Sequence, residues 1–242
     1  HTGNTVYDQF VFNAVATGEL FNMPAGAVGA AFGVEYRNFS IDDQPSQEER
    51  SGDLWGQSSA AVTKGRDHVK EIFTEIEVPL LKGLPAFEAL TFNMSARAFD
   101  YASVGDSDYV WKAGLNWQII PSVRLRATKG TSYRAPGLYE LYLGNLSSFV
   151  SQTSIDPCIQ WGQSTNDNIR ANCAAAGIPD NFAGATSSAQ VYQGGGAGFL
   201  KPETSNAFTA GIVFTPTSWP FSLAVDYFNY EVNNQISNLS AS

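Results

Sequence analysis

Few residues in this chain have side chains that suit catalysis or metal binding. The only histidines are His1 and His68, so a Ser-His-Asp arrangement would have to use His68, and no G-x-S-x-G motif supplies a nucleophile. The run Gly194-Gly195-Gly196 is not followed by the Lys-Ser/Thr pair of a phosphate-binding loop. We therefore predict that the protein is not an enzyme and that it needs neither a cofactor nor a metal.

The two cysteines, Cys158 and Cys173, lie in a polar stretch rich in Gly, Asn and Ala. A zinc site would need three or four ligands, and both histidines are distant in sequence. A local disulfide in an oxidising compartment is the favoured interpretation, and two free thiols are the alternative.

Composition excludes several classes of protein. The 242 residues carry 14 Lys+Arg against 23 Asp+Glu, a net charge of −9, and they contain no basic run, so nucleic acid is not an expected partner. The aromatic content of 13% is too high for a disordered chain. No stretch approaches the roughly 20 apolar residues of a membrane helix, but this criterion does not detect barrel strands. The N-terminal residues lack the features of a signal peptide, which would therefore lie upstream or have been removed.

Alternation of apolar and polar residues is the main structural signal. It is strictest in residues 28–38, 90–98, 111–119 and 123–128, and a period of two over such lengths predicts strands with one apolar and one polar face. Four further strands are predicted at residues 6–18, 68–80, 203–215 and 221–236. The sequence thus predicts an all-β protein with eight strands.

The connections between these strands fall into two alternating classes. Short ones are rich in turn-forming residues and occupy positions 22–26, 81–88, 121–122 and 215–220. Long polar ones occupy positions 43–66, 102–108 and 143–200. An antiparallel meander places the two classes at opposite ends of the sheet, as in outer-membrane barrels with short periplasmic turns and long extracellular loops.

Strand length and aromatic placement favour a membrane barrel over a soluble one. Several predicted strands exceed the about 9–11 residues that cross a bilayer at a tilt, whereas strands in soluble sheets usually have about 5–6. Aromatic residues gather near strand ends, which is typical of the girdles at membrane interfaces, although scattered aromatics in a sandwich core are the alternative. These aromatics are Tyr36, Phe39, Tyr101, Tyr109, Trp111, Trp117, Tyr133, Trp219 and Phe221.

Several motifs in the right order make the chain resemble the barrel of a TonB-dependent outer-membrane receptor. The segment Ser132-Tyr133-Arg134-Ala135-Pro136 resembles the S-x-R-A-P motif that this family carries near the extracellular rim. The long loop then returns through an L-x-P-E-x-S motif at residues 200–205. The resemblance covers residues 5 to 236, nearly the whole chain, and includes the segments 24–40, 123–142, 200–216 and 223–236.

The resemblance implies a large barrel of about 22 strands filled by an N-terminal plug domain. This chain has about eight strands, no plug, no TonB box and no closing strand with a terminal aromatic. We therefore expect residues 1–242 to form part of one barrel domain in the outer membrane of a Gram-negative bacterium, with 143–200 as a long extracellular loop. The implied partners are the membrane lipid, the rest of the barrel with its plug, TonB through that plug, and a small-molecule or oligosaccharide solute.

The solute is suggested by a second resemblance. The D-P-C motif at 156–158 and the N-C-A-A-A-G-I-P motif at 172–179 are similar to a large proteobacterial branch of the family that often takes up oligosaccharides. An oligosaccharide is therefore the favoured solute, and a ferric siderophore is the alternative. A passive porin and a soluble extracellular β-sandwich lectin are the competing interpretations.

Sugars present C–H faces to aromatic rings and hydroxyls to amides, so aromatic and amide side chains in the long loops are the expected solute contacts. Packing of these side chains within their own loops is the alternative. The candidates are Trp55, Tyr139, Tyr142, Gln160, Trp161, Asn166 and Tyr192.

Arg134 and Glu203 lie at the two ends of the long loop. They could touch the solute or hold the rim, but pairing across adjacent strands is favoured. Pro136 and Pro202 would end the strand ladders there, because proline lacks an N–H. The charged faces of the strands would line the lumen opposite the plug; their residues are Glu35, Arg37, Arg97, Lys112, Arg124 and Arg126.

Overall fold

The structure, a computed structural model, describes residues 2–55, 58–105, 107–184 and 188–238, so His1 lies outside the described residues. Eight long strands form one antiparallel sheet, and a short hairpin forms a second. The strands are β1 (Asn4–Met23), β2 (Gly26–Gln44), β3 (Thr63–Leu84), β4 (Phe87–Tyr101), β5 (Ser107–Ile120), β6 (Val123–Arg134), β7 (Leu146–Ser151), β8 (Ser188–Gln193), β9 (Glu203–Phe214) and β10 (Leu223–Asn233). The helices are α1 (Gln47–Ser51), α2 (Leu138–Tyr142), α3 (Gln152–Ile155) and α4 (Asp167–Ala175), with a 3-10 turn at Trp161–Gln163.

The large sheet follows chain order, β1-β2-β3-β4-β5-β6-β9-β10, with every neighbouring pair antiparallel. All eight predicted strands are therefore present. The first six are longer than predicted. β2, β5 and β6 gain most of their extra residues at the loop end, β1 gains them mainly at the short-turn end, and β3 and β4 extend at both ends, because ladder hydrogen bonds continue where the apolar alternation has stopped. The hairpin of β7 and β8 is an additional element inside the region 143–200, which the sequence predicts only as a long loop.

The short and long connections alternate as the sequence predicts. β1–β2, β3–β4 and β5–β6 are each joined by two residues, and each of these turns begins with a proline. The long connections span 45–62, 102–106 and 135–202. All long connections thus leave the same end of the sheet, and α2 of the last one packs against β3.

One face of the sheet is apolar and uncovered. Phe32 and Ile72 are 55% and 54% exposed, and Leu115 and Phe214 are each 38% exposed. Within the described ranges no second sheet packs on this face, so its residues do not form a dry core between two sheets. The β-sandwich alternative is therefore wrong, and the arrangement is that of an open section of a barrel wall with its apolar face toward lipid.

None of the helices within the described ranges is both long enough and apolar enough to cross a membrane.

Candidate functional site

Arg134 joins the two ends of the long loop to a helix. Its guanidinium donates to the carboxylate of Glu203 at 2.8 and 2.9 Å and to that of Glu140 in α2 at 2.9 and 3.0 Å. Glu203 also accepts a hydrogen bond from the backbone N–H of Ile236 at 2.7 Å. The pairing alternative for Arg134 and Glu203 is thus the arrangement in the structure, and it fastens the loop, the helix and the segment after β10 together.

Pro136 and Pro202 flank the ion pair of Arg134 with Glu203. β6 ends at Arg134, two residues before the buried Pro136, and β9 begins at Glu203, directly after Pro202. In the loop itself, hydrogen bonds from Arg134 hold the pKa of the Glu140 carboxyl below its usual range. Glu140 is therefore ionised at neutral pH, and the helix stays tied to the strand end.

Tyr142 holds α2 against the sheet. Its hydroxyl donates to the backbone carbonyl of Arg66 at 3.1 Å, and its ring lies over Gly65, where a side chain would overlap it. Leu138 and Leu141 of the same helix are buried. In the structure Tyr142 therefore has a packing role at the loop's exit.

We expect Gly65→Val to displace the Tyr142 ring and to loosen α2, because the new Cβ and methyl groups would occupy the space of that ring. Hydrogen exchange of the backbone amides of 138–145 in the intact protein should become faster. Gly29→Val, near the short-turn end of β2, where no atom lies within 4 Å of the new Cβ, is the matched control and should leave those amides unchanged.

The central part of the long loop is a small disulfide-bonded unit. Cys158 and Cys173 are bonded, linking the segment before the 3-10 turn to α4. Trp161 is half-buried and donates through Nε1 to the carbonyl of Ile178 at 3.0 Å, and the exposed Gln160 donates to the carbonyl of Asn181 at 3.3 Å. These contacts hold the unit together.

Asn166 serves the same unit. Its Oδ1 accepts from the N–H of Asn168 at 3.0 Å and so caps the first turn of α4. Gln160, Trp161 and Asn166 therefore all make contacts inside their own loop, which is the packing alternative for these residues.

A second set of contacts clamps the β2–β3 loop to the hairpin of β7 and β8. Ser147 is 1% exposed; its Oγ accepts from the N–H of Ser59 at 2.8 Å, and its own N–H donates to the Ser59 carbonyl at 2.9 Å. The N–H of Gly144 donates to Oγ1 of Thr63, also 1% exposed. The loop that carries Trp55, whose side chain is completely exposed, is thus tied to the long loop.

Two of the predicted contact residues line one cavity. Tyr139 and Tyr192 face a space of about 700 Å³ between α2, β8 and the segment after β10. Both rings are accessible, at 48% and 67% exposure. The rest of the lining is largely apolar or amide-bearing: Leu143, Gln193, Leu200, Ile236, Ser237 and Asn238, with Glu140 and two glycines.

The seven predicted contact residues therefore do not form one group. Tyr139 and Tyr192 share a cavity, whereas Trp55 is exposed on another loop. Tyr142 packs against β3, and the other three residues, Gln160, Trp161 and Asn166, lie in the disulfide-bonded unit. Sequence spacing cannot distinguish these positions, because Tyr139 and Tyr142 are separated by only one turn of helix.

A buried charge cluster on the inner face was missed. Glu71 is 5% exposed and accepts from Arg37 at 3.0 Å and from Arg97 at 2.8 Å, while Nε of Arg37 lies 2.9 Å from Glu35. The guanidinium of Arg97 also lies 4.8 Å from the centre of the Phe73 ring. The sequence contained one signal for this cluster, a carboxylate at Glu71 between the apolar residues Val69 and Phe73 on the same face of β3. The partners of Glu71 could not be identified from it, because they depend on the strand register.

A second pair on the same face is Arg126 with Asp226, joined at 2.7 to 3.0 Å. Some of the charged residues that were predicted to line the lumen are therefore joined in ion pairs on the inner face. Within the described residues, no group of three or more His, Cys, Asp or Glu side chains is placed to hold a metal ion.

Comparison with known proteins gives a consistent result. The model of the TonB-dependent receptor-like β-barrel family matches residues 2–242. The chain also resembles the ferric enterobactin receptor PfeA of Pseudomonas aeruginosa in a mutant (Q482A) crystallised with enterobactin, with 19% identity and a TM-score of 0.65 over 98% of this chain and 28% of that one. The siderophore receptor PirA of Acinetobacter baumannii is similar at 15% identity, with a TM-score of 0.62 over 96% of this chain and 28% of that chain.

PirA of Pseudomonas aeruginosa matches at 14% identity with a TM-score of 0.61, over 94% of this chain and 32% of that one. At such identities the structural matches describe the fold. The chain spans about a third or less of the length of these receptors. The strand order, the alternating turns and the family match together lead to one conclusion: this chain belongs to the TonB-dependent receptor family and forms part of the β-barrel of a Gram-negative outer-membrane protein.

Proposed function

We propose that the intact protein is an active transporter that binds a scarce solute at its long loops and imports it with energy delivered through TonB. Family membership supports this activity, because TonB-dependent receptors are transporters and not enzymes. The plug, the remaining strands and TonB would be the partners of this chain.

We further propose that the solute is an oligosaccharide, and the cavity of Tyr139 and Tyr192 is the observation that carries this proposal. Its lining combines two accessible rings with amide and hydroxyl groups, which suits the C–H faces and hydroxyls of a sugar. The one carboxylate in the lining, Glu140, is already bonded to Arg134. No Lys or Arg lines the cavity among the described residues, so an anionic ferric chelate would find no cationic partner there.

A ferric siderophore is the second candidate, because the solved receptors that this chain resembles are named for siderophores. Titration of the intact receptor with neutral oligosaccharides of several lengths, and in parallel with ferric enterobactin, separates the two candidates. Binding of an oligosaccharide without binding of the ferric chelate is the expected result. The reverse result would make the siderophore the solute.

We expect Tyr139→Ala and Tyr192→Ala each to weaken oligosaccharide binding about 3- to 10-fold, since each removes one stacking platform. Trp55→Ala, which removes a completely exposed ring on another loop, should also weaken binding. Trp117→Ala is the control: this ring stacks on Phe87 at 5.1 Å and bonds to the Ala86 carbonyl at the short-turn end. Unchanged affinity in both tyrosine variants would show that the cavity is not the solute site.

A further inference from the structure

The apolar face of the sheet ends along an oblique line on the side of the long loops. Residues on the apolar face are called outward below, and each strand is followed toward the long loops. The last outward aromatic residue of β1 is Phe10, which pairs with Asn38 of β2, and Asn38 in turn pairs with His68 of β3. The last outward aromatic residue of β10 is Tyr227. Following the residue pairings from strand to strand across the sheet leads from Tyr227 to Val78 of β3. The end of the apolar face therefore moves ten positions along the strand across the eight strands.

This displacement gives the tilt of the strands in the membrane. Ten residues are about 33 Å along a strand, and seven interstrand spacings are also about 33 Å. The boundary thus runs at about 45° to the strands, the tilt at which barrel strands cross a bilayer. On β3 the same line passes between Ile72 and Lys70, so Lys70 is the first outward residue beyond the apolar band.

Beyond that line the outward face of β3 is entirely basic. Lys64, Arg66, His68 and Lys70 occupy four successive outward positions, and the three Lys and Arg residues are exposed. They are 3 of only 14 Lys+Arg in a chain with a net charge of −9. This cluster, residues 64–70 on the outward face, is called the basic row below.

The nearby carboxylates leave two of these cations available. Asp42 binds Lys64 at 2.6 Å. Asp100 lies opposite Lys70 on β4, and Asp8 lies two strands away from Arg66. In the described part of the chain, no carboxylate lies within ion-pair distance of Arg66 or Lys70.

We propose that Arg66, His68 and Lys70 form a contact site for the phosphate groups of lipid headgroups in the outer leaflet. The site continues the lipid-facing apolar band without interruption, which places phosphates, rather than a soluble anion, beside it. Lysine and arginine at such a boundary lay their aliphatic stems along apolar surface and extend their charged groups to the headgroups. Arg66 offers the planar donor geometry that suits phosphate, and Lys70 supplies a point charge.

The test uses the intact receptor in detergent and lipid A as the probe, either with its two phosphates or after their enzymatic removal. Bound lipid is counted by native mass spectrometry during a titration. The double variant Arg66→Gln/Lys70→Gln is compared with Lys112→Gln/Arg124→Gln, which removes the same two charges from the inner face of the sheet. Thermal unfolding of each variant establishes that the barrel is intact.

We expect the parent to bind phosphorylated lipid A roughly 10- to 30-fold more tightly than the Arg66/Lys70 variant, because each cation near an anionic surface contributes severalfold. The Lys112/Arg124 variant should bind like the parent, and the difference should shrink in high salt. Equal binding by both double variants would overturn the proposal. Equal binding of phosphorylated and dephosphorylated lipid A by the parent would also overturn it and would leave the basic row to an acidic protein partner.

Discussion

Glu71→Ala is expected to lower the free energy of unfolding of the intact receptor by about 3 kcal/mol. The carboxylate is buried and is shared by Arg37 and Arg97, so its removal leaves two guanidinium groups close together without their common partner. The arginine side chains are 31% and 40% exposed, and water can therefore compensate in part, which keeps the loss at the lower end for a broken buried pair.

Denaturant unfolding in detergent micelles measures this effect. Glu75→Ala is the matched control, because Glu75 lies four residues further along the same face of β3 and is exposed. Glu71→Gln should have an intermediate effect, since the amide oxygen still accepts one hydrogen bond. If Glu71→Ala and Glu75→Ala had the same free energy of unfolding, the buried cluster would contribute no more to stability than a solvent-exposed charge on the same face.

Replacing both Cys158 and Cys173 with serine is expected to increase hydrogen exchange in residues 156–182 roughly a hundredfold. Closing a loop of this length stabilises it by about 3 kcal/mol in the chain-entropy model. The remaining contacts of this unit are a few hydrogen bonds, such as the one from Trp161 to Ile178. The opening should therefore be local and should not spread to the sheet.

Exchange of the amides in β6 and β9 serves as the internal control, because these strands form a continuous ladder that does not involve the disulfide. Chemical reduction of the parent protein should reproduce the exchange pattern of the double serine variant. Faster exchange throughout the sheet, or none in the loop, would contradict the assignment of the disulfide to local order.

The strand-to-loop alternation was readable from sequence because it depends on short-range patterns. Period-two apolar residues define strands and their faces, and proline-containing turns define the short connections. The family motifs, such as Ser132-Tyr133-Arg134-Ala135-Pro136, placed Arg134 and Glu203 at corresponding strand ends. The disulfide followed from the presence of two cysteines in one polar loop.

The roles of individual side chains were decided by contacts between residues far apart in the chain. Tyr139 and Tyr142 look equivalent in sequence, yet only Tyr142 covers Gly65, which is distant in the chain. Trp55 and Trp161 likewise differ in their surroundings: Trp161 is half-buried and donates a hydrogen bond to the Ile178 carbonyl, whereas the side chain of Trp55 is completely exposed. Local propensity contains no information about such encounters.

Strand register explains the remaining difference. The sequence by itself determined that Arg37 and Arg97 lie on the charged faces of their strands, but their meeting at Glu71 depends on how the strands align. A shift of one residue would move each side chain to the other face. Only the tertiary structure therefore decided that Arg37, Glu71 and Arg97 form one buried cluster, because hydrogen bonding along the whole ladder sets the register.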